Sequence, residues 1–248
     1  MNIYQIKKAS ELIKKSNRTV LLTGAGISTE SGIPDFRTPG KGLWEKVDPM
    51  EVLSKNTLYN NPEKFYKEGF KILMGIIEAE PNKGHLAIAE MEKLGFLDCI
   101  ITQNIDNLHQ KAGSKNLLEV HGHIRTGSCI ECGEKVSFNI IKNKINKNQI
   151  PPKCNKCNGN IRPDVVLFGD GLPEDFNTAW DKVRESDLLV VVGSSLTVAP
   201  VSYLPGLASR LIIINLGDTP YDDMADVVIR EKTGIVLPKI LKYLKSGG

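Results

Sequence analysis

The stretch that most constrains this chain runs from residue 24 to residue 37 and reads GAGISTESGIPDFR. It follows an apolar run at residues 19–22, which is typical of a buried parallel strand. Gly24 and Gly26 stand where that strand would turn into a helix, the point at which a Rossmann-type fold receives a dinucleotide pyrophosphate. Glycine suits this point because it permits the turn and lets phosphate approach bare backbone. The stretch therefore predicts a dinucleotide site.

The same stretch departs from the usual dinucleotide fingerprint. Thr29 takes the place of the third glycine, and no acidic residue ends an obvious second strand about twenty residues further on. Instead, Asp35, Phe36 and Arg37 place a carboxylate, an aromatic ring and a guanidinium close to the predicted nucleotide. Reactive groups at the mouth of the site indicate a dinucleotide that is consumed in a reaction rather than only bound.

Strand-like and helix-like segments alternate along much of the chain. Apolar runs that predict buried strands lie at residues 19–23, 99–102, 117–120, 165–168, 188–192 and 211–215. Helical patterns occur at residues 83–94 and 176–184, and residues 1–16 read as an amphipathic first helix. This alternation predicts an α/β fold in which a Rossmann-like parallel sheet is covered by helices on both faces.

Two stretches interrupt the alternation, and we interpret them as insertions that together form a smaller lobe. One is helical in pattern, and the other carries four cysteines among many Asn and Lys residues. The expected large domain is a Rossmann-like dinucleotide-binding unit assembled from residues 1–37, 81–125 and 161–248. The expected small domain combines a helical module at 38–80 with a zinc-binding module at 126–160.

The cysteines of the second insertion form two Cys-x-x-Cys pairs separated by 21 residues, which is close to zinc-ribbon spacing. The predicted zinc ligands are Cys129, Cys132, Cys154 and Cys157. Four thiolates fill the tetrahedral shell of zinc and leave no position for water or substrate, so the predicted role is structural. The alternative of four unrelated cysteines is disfavoured by the paired spacing. Cys99 lies in an apolar run and is predicted to be a buried core residue.

Polar residues follow two of the predicted strands directly. The sequence Gln-Asn-Ile-Asp at 103–106 follows one strand, and His121 follows the next. Because the ligand crevice of an open α/β sheet lies at the carboxyl ends of its strands, these side chains are expected to converge there. A histidine at this place has the pKa range of a general base near neutral pH. The other histidines, interpreted as structural or surface residues, are His85, His109 and His123.

Composition narrows the choice of function. A hydrophobic share of 41% and a charged share of 25% over 248 residues are ordinary for a soluble globular enzyme. The net charge of +3 is too mild to favour nucleic acid, and the lysines between residues 135 and 156 are interpreted as a solvated loop surface. No stretch approaches the roughly 18 apolar residues of a membrane span. Cysteines in a metal pattern indicate a reducing compartment, so we expect the cytoplasm.

The chain resembles the sirtuins, NAD-dependent protein-lysine deacylases, over nearly its whole length. The matching strings, beside the two cysteine pairs, are GAGISTESGIPDFR at 24–37, TQNID at 102–106, HG at 121–122, FG at 168–169, GSSL at 193–196 and NLG at 215–217. Their joint order and spacing are highly specific, and the compact length looks most like bacterial and archaeal members. The resemblance implies an NAD-dependent deacetylase with one structural zinc ion.

The resemblance also implies which residues contact NAD. Those around the phosphates, the adjoining ribose and the nicotinamide would be Gly24, Ala25, Gly26, Thr29, Asp35, Phe36, Arg37, Gln103, Asn104, Ile105, Asp106 and His121. Those near the adenine half would be Gly193, Ser194, Ser195, Asn215 and Lys232. The catalytic members of this set would be His121, Asn104 and Asp106.

By the same resemblance, acyl-lysine enters between the two lobes past Val166, Phe168 and Val198, with its backbone extended along a strand edge. The acyl oxygen displaces nicotinamide from the ribose, His121 deprotonates a ribose hydroxyl, and water completes the transfer. The products are free lysine, nicotinamide and O-acyl-ADP-ribose. The expected partners are thus acyl-lysine proteins or peptides, with a monomeric enzyme and no nucleic-acid or membrane binding.

Some sirtuins that prefer acidic acyl groups carry a Tyr-x-x-Arg pair in the helical insertion. Here Tyr66 is followed three positions later by Gly69, so acetyl and other apolar acyl groups are expected. Two other functions stay open, which are mono-ADP-ribosyl transfer or NAD hydrolysis, and a non-catalytic NAD-sensing module. A dehydrogenase is disfavoured because the ribose-binding acid is missing and four thiolates close the zinc shell.

Overall fold

The computed structural model describes residues 3–34 and 48–246, apart from the side chains of residues 49 and 50. Its strands are β1 (Thr19–Thr23), β2 (Cys99–Thr102), β3 (Leu117–Glu119), β4 (Gly122–Cys129), β5 (Lys135–Ser137), β6 (Ile161–Val165), β7 (Leu188–Val192), β8 (Leu211–Ile214) and β9 (Val227–Ile229). Its α-helices are α1 (Ile3–Lys15), α2 (Pro49–Val52), α3 (Lys55–Asn60), α4 (Pro62–Lys64), α5 (Phe70–Ile77), α6 (Lys83–Lys93), α7 (Leu108–Ala112), α8 (Phe138–Asn146), α9 (Glu174–Arg184) and α10 (Thr233–Lys245).

Six strands form one parallel sheet in the order β3-β2-β1-β7-β8-β9. Numbered along this sheet alone, the order is 3-2-1-4-5-6, which is that of the Rossmann fold. The central strands β1 and β7 are buried at every position because helices cover both faces of the sheet. Strand order reverses between these two strands, so the ligand crevice of this fold is expected at their carboxyl ends.

The helices divide between the two faces of the sheet. On one face α1, α6 and α10 bury Ile6, Ile88 and Val236 against the sheet. On the other face α9 and a 3₁₀ helix at Val201–Leu207 complete a second apolar layer. The sheet is therefore fixed from both sides, which leaves the loops at its strand ends free to build a site.

A smaller lobe is built on the antiparallel sheet β5-β4-β6. Its core also includes the helical segment before α6, and the rings of Phe70 and Phe138 stack with centroids 5.1 Å apart. The helical insertion and the cysteine-bearing insertion therefore share one apolar core. This confirms the predicted fold class, a Rossmann-like sheet domain with a smaller lobe made from two insertions.

The strand predictions hold for the parallel sheet with one exception. Residues 165–168 were predicted as one of its strands, which is wrong. Only Val165 is in a strand, and that strand, β6, pairs antiparallel with β4 in the small sheet. The alternating burial of β6 is typical of a sheet with one solvated face, whereas β1 and β7 at the centre of the parallel sheet are buried at every position. The short strand β9 was not predicted at all.

The domain boundaries proposed from the sequence stay a prediction. The small sheet begins at Gly122 and ends at Val165, so its strands extend into the ranges 81–125 and 161–248 assigned to the large domain. Asp35, Phe36 and Arg37 lie outside the described residues. Within the described ranges, no helix combines the length and the apolar character that crossing a membrane requires.

Candidate active site and metal centre

The floor of the crevice is formed where the loops after β1 and β7 touch. Gly24 N–H donates to the Val192 carbonyl (3.1 Å), and Gly26 N–H donates to the Gly193 carbonyl (2.8 Å). A Cβ atom on Gly24 would lie 2.8 Å from Gly193 O, and one on Gly26 would lie 2.8 Å from Gly193 Cα. Glycine is therefore required here because the two backbones pack directly against each other.

The loop after β2 joins this floor through side-chain amides. Gln103 Nε2 donates to Ser194 Oγ at 3.0 Å. Asn104 Nδ2 donates to Ser28 Oγ at 3.0 Å and to the Gly24 carbonyl at 3.2 Å. The loops after β1, β2 and β7 are thus tied together by hydrogen bonds, and the convergence expected for residues 103–106 is present in the structure.

Asp106 lies beneath this loop and is only 5% exposed. Its carboxylate accepts hydrogen bonds from Ser28 Oγ (2.7 Å) and from the backbone N–H of Leu108 (2.9 Å). Burial raises the pKa of Asp106, and these two donors act in the opposite direction by favouring the charged form. Ser28 is the shared partner of Asp106 and Asn104, and the sequence analysis gave it no role although it stands inside the 24–37 stretch.

His121 stands two residues beyond the end of β3, with its ring in the crevice loops. Its Nδ1 lies 3.0 Å from the Gln103 carbonyl oxygen. Because a carbonyl can only accept, Nδ1 carries the proton and Nε2 carries the lone pair. Burial lowers the pKa of His121, so the ring is neutral near pH 7. The residue is therefore held in the tautomer that a general base requires.

The segment that follows the first glycines forms two 3₁₀ turns, Ala25–Ile27 and Thr29–Ser31. Ala25 begins the first turn, and Thr29 Oγ1 donates to the Gly26 carbonyl at 3.0 Å. Two residues that sequence reasoning missed, Asn82 and Glu30, connect this segment to α6 and α10 by hydrogen bonds. Asn82 Nδ2 donates to the Ile27 carbonyl (2.7 Å), and the Glu30 carboxylate accepts from the backbone N–H at the start of α10 (2.8 Å).

The residues expected near adenine lie at the same edge of the sheet. Ser194 and Ser195 follow β7, and Ser195 Oγ lies 2.9 Å from Thr197 Oγ1. Asn215 follows β8 and donates from Nδ2 to the Gly217 carbonyl at 2.8 Å. Lys232 directly precedes α10, and its carbonyl accepts the N–H groups of Ile235 and Val236. The structure thus brings these four residues to the carboxyl ends of neighbouring strands, and their contact with adenine stays a prediction.

The segment after β6 lies between the two lobes. Val166 N–H donates to the His121 carbonyl at 2.9 Å. Phe168 bonds on both sides of its peptide to the helical insertion, through the Leu53 carbonyl (3.1 Å) and the Lys55 N–H (2.9 Å). Phe168 as a whole residue is 37% exposed, while Val198 is half-buried in the loop after β7. The segment therefore links the histidine to the small lobe.

The four cysteines of the small lobe form one cluster. Their Sγ atoms all lie within 4.8 Å of one another. The Cys129–Cys157 and Cys132–Cys154 sulfur pairs are 3.4 and 3.9 Å apart. A tetrahedral zinc ion with Zn–S bonds of about 2.3 Å requires sulfurs about 3.8 Å apart. The donor set and its spacing therefore fit zinc, and Cys99 is buried on β2 as predicted.

The parallel sheet has the strand order of a dinucleotide-binding fold, and a neutral histidine lies at the edge of its crevice. Together with the four clustered thiolates, this defines a Rossmann-type α/β protein with a metal-binding lobe. The chain belongs to the Sir2 family, whose sequence profile matches residues 24–200. The resemblance to sirtuins is thereby confirmed.

Relatives and solved structures agree with this family over the full length. The NAD-dependent protein deacetylase 2 of Caldanaerobacter subterraneus subsp. tengcongensis is 61% identical over 240 residues, which cover 97% of this chain and 96% of that protein. One solved Sir2 enzyme is 42% identical with a TM-score of 0.89, and the alignment covers 98% of this chain and 99% of that one. A Sir2 solved with a p53 peptide and NAD+ is 35% identical with a TM-score of 0.87, covering 96% and 97%.

Proposed function

We propose that this chain is an NAD-dependent protein-lysine deacetylase that transfers the acyl group of lysine to ADP-ribose. NAD is consumed, and nicotinamide and O-acetyl-ADP-ribose are released. Family membership and the deacetylase relatives support this function. The observation that carries it within the site is the Nδ1–H of His121 donating to the Gln103 carbonyl, which leaves Nε2 as a base.

In this proposal NAD lies across the crevice with its adenine half over the loops after β7 and β8. The phosphates and the adjoining ribose face the segment that begins at Gly24, and the nicotinamide faces residues 103–106. The amide of Asn104 and the carboxylate of Asp106 are catalytic residues in this assignment. The hydrogen bonds that both make to Ser28 support it, because they fix the side chains before NAD binds.

The acyl-lysine is proposed to enter between the lobes, past Val166, Phe168 and Val198. The acyl oxygen attacks the ribose carbon as the bond to nicotinamide breaks. His121 Nε2 then takes a proton from a ribose hydroxyl, which attacks the acyl carbon, and water finally releases free lysine. The low pKa of the buried imidazole supports this role, since the base is unprotonated at neutral pH.

The zinc ion belongs to the fold rather than to this reaction. Cys129, Cys132, Cys154 and Cys157 would hold it with four thiolates and leave no position open for water or substrate, so it would cross-link the small lobe and supply no chemistry at the crevice.

Acetyl and other apolar acyl groups are the proposed substrates. Tyr66, the candidate partner for an acidic acyl group, is 2% exposed and donates its hydroxyl proton to the Ile161 carbonyl within the small-lobe core. Gly69 offers no room for a side chain, because a Cβ there would lie 2.3 Å from the Val52 carbonyl oxygen. These two contacts support a site without a carboxylate receptor. We further propose that the enzyme acts as a monomer in the cytoplasm and binds neither nucleic acid nor membranes.

The direct test replaces His121 with alanine. His121→Ala should lower turnover on an acetylated peptide by about 100- to 10,000-fold, the range of general-base assistance, while NAD still binds. Mass spectrometry of the products and calorimetric titration with NAD measure the two effects separately. His123→Ala, two residues along the chain, should keep turnover near that of the wild type.

The same product analysis decides between the alternatives. Free lysine peptide together with O-acetyl-ADP-ribose supports the proposal. ADP-ribosylated peptide or free ADP-ribose alone would favour the transferase or hydrolase, and normal deacetylation by His121→Ala would overturn the assignment of the base.

A further inference from the structure

A short chain of buried hydroxyl and imidazole groups lies beneath the crevice. Thr23, the last residue of β1, is fully buried. Its Oγ1 lies 2.9 Å from Thr102 Oγ1 and 3.0 Å from His109 Nε2. Thr102 Oγ1 in turn accepts the backbone N–H of Asn104 at 3.1 Å. The interior of the large lobe thus connects by three hydrogen bonds to the loop that carries a catalytic residue.

The proton positions in this chain follow from what each atom can do. Thr23 has one hydroxyl proton, and the Thr102 oxygen is its nearer acceptor, since the Ile101 carbonyl lies at 3.5 Å. The oxygen of Thr23 is then free to accept, so His109 donates from Nε2. Burial lowers the pKa of His109 to about 3, which leaves a neutral ring with a single N–H. His109 Nδ1 has no hydrogen-bond partner in the described part of the chain, which also favours the proton on Nε2.

On its other side, His109 is connected through His85 and Asn82 to the segment that begins at Gly24. Its ring meets the ring of His85 edge-on, with centroids 5.1 Å apart. His85 Nδ1 accepts the backbone N–H of Asn82 at 3.4 Å, and the side chain of Asn82 bonds to the Ile27 carbonyl. One continuous set of contacts therefore joins the two segments that face the crevice, and Thr23 connects its histidine half to its threonine half.

We propose that Thr23 is a positioning residue, whose hydroxyl transmits the fixed orientation of His109 through Thr102 to the backbone of Asn104. The proposal rests on the function proposed above, since Asn104 is catalytic only within it. A valine at position 23 keeps the shape of threonine and removes the hydroxyl. Thr102 Oγ1 then loses the hydroxyl that orients it, although it can still accept the Asn104 N–H, and the core stays filled.

The test is Thr23→Val beside the matched control Thr19→Val. Both residues lie on β1 and are at most 2% exposed, but Thr19 Oγ1 makes no hydrogen bond among the residues that the structure describes. Thr23→Val should lower kcat about tenfold, the share of one functional hydrogen bond, with little change in the KM for peptide. Thr19→Val should keep kcat, and Thr23→Ser, which restores the hydroxyl, should recover most of it.

A second readout is independent of catalysis. In ¹⁵N-resolved NMR spectra the His109 Nε2–H proton should shift and exchange faster in Thr23→Val, and stay unchanged in Thr19→Val. Thr102→Val should reproduce the kcat loss and leave the proton of His109 on Nε2.

Equal kcat in Thr23→Val and the wild type, or an equal loss in Thr19→Val, would overturn the proposal. So would a His109 proton found on Nδ1. If the wild type does not deacetylate, the proposed function fails, while the NMR comparison still shows whether the buried chain exists.

Discussion

The two sheets of this protein are stabilised in different ways. In the parallel sheet, β1 and β7 are buried at every residue, and apolar layers cover both faces. In the antiparallel sheet, β6 alternates between buried and half-buried positions, and β5 has two exposed residues of its three. A short, partly solvated sheet buries too little apolar area to be stable alone, so four thiolates and a metal ion supply what burial does not.

The comparison also locates the machinery of the site. His121 stands between β3 of the large sheet and β4 of the small one, and Val166 follows directly from β6. The proposed general base and the proposed peptide segment are therefore anchored to both sheets. Unfolding of the small lobe should therefore lower the rate of deacetylation, even though a zinc ion held by four thiolates has no position open for chemistry.

The largest expected effect comes from breaking the metal centre. Cys154→Ser should abolish tight zinc binding and unfold the small lobe, because structural zinc contributes on the order of 10 kcal/mol to the folding of such modules. Metal content, and limited proteolysis with the cleavage sites mapped by mass, measure the two results. We expect cuts within 126–160 and a protected parallel sheet.

The matched control is Cys99→Ala, which changes a cysteine buried on β2 and remote from the metal cluster. It should retain one zinc ion per chain and show no new cleavage between residues 126 and 160. Full zinc occupancy and wild-type proteolysis in Cys154→Ser would show that the small lobe is held by its apolar core alone.

The same contrast explains which strands the sequence could predict. The run LLVVV is apolar throughout and TVLLT has an apolar centre between two threonines, and this pattern correctly predicted β1 and β7. The strand β4 reads GHIRTGSC, which has neither an apolar run nor a clean alternation, and it bends at an irregularity between Gly122 and Gly127. Its pairing depends on the metal knuckles and on β6, so no local pattern reports it. The three residues of β9 are too few to stand out.

The sequence could predict those residues of the candidate site that directly follow a predicted strand. His121 and residues 103–106 follow their strands directly, so their convergence followed from the topology. Ser28, Asn82 and Glu30 were missed because their roles depend on partners far along the chain. Asn82, for example, bonds to a carbonyl 55 residues away. Only the fold brings such pairs together.

A smaller effect is expected at the junction of the two lobes. Arg162 on β6 forms an ion pair with Asp170, and the two side chains are 19% and 12% exposed. Arg162 also donates to the Val165 carbonyl (2.9 Å), and Asp170 accepts the Leu167 N–H (3.0 Å). The pair thus encloses the segment that carries Val166 and Phe168.

Asp170→Asn should cost about 3 kcal/mol, because it leaves the guanidinium of Arg162 largely buried without a counter-charge. The KM for acetylated peptide should rise about tenfold while the KM for NAD changes little, since one enclosing contact of the peptide segment is lost. Urea unfolding and steady-state kinetics measure these quantities.

The control for this prediction is Asp181→Asn, which removes an exposed ion pair with Arg184 on α9. That change should cost less than about 0.5 kcal/mol and leave both KM values unaltered. Equal rises in the two KM values for Asp170→Asn would mean that the ion pair supports the whole crevice rather than the peptide segment.

The smallest effect is expected from a titratable side chain buried in the large lobe, that of His85. His85 is fully buried, and burial lowers its pKa from about 6.5 to about 4. The unfolded chain therefore binds the proton first, so this contribution to stability is complete above pH 6.5 and is lost as the pH falls toward 4. By linkage, His85 should cost the wild type on the order of 2 kcal/mol between pH 7.5 and pH 5.

His85→Gln removes this titration and retains a side chain that can accept the Asn82 N–H in the capping box of α6. Its stability should match the wild type at pH 7.5 and exceed it by about 2 kcal/mol at pH 5, as measured by urea unfolding with zinc content checked at both values. Acid also protonates zinc thiolates, so metal loss would lower both proteins equally and leave their difference intact. A difference that does not grow on acidification would mean that water reaches His85, and that the interior of the large lobe is less apolar than its sheet.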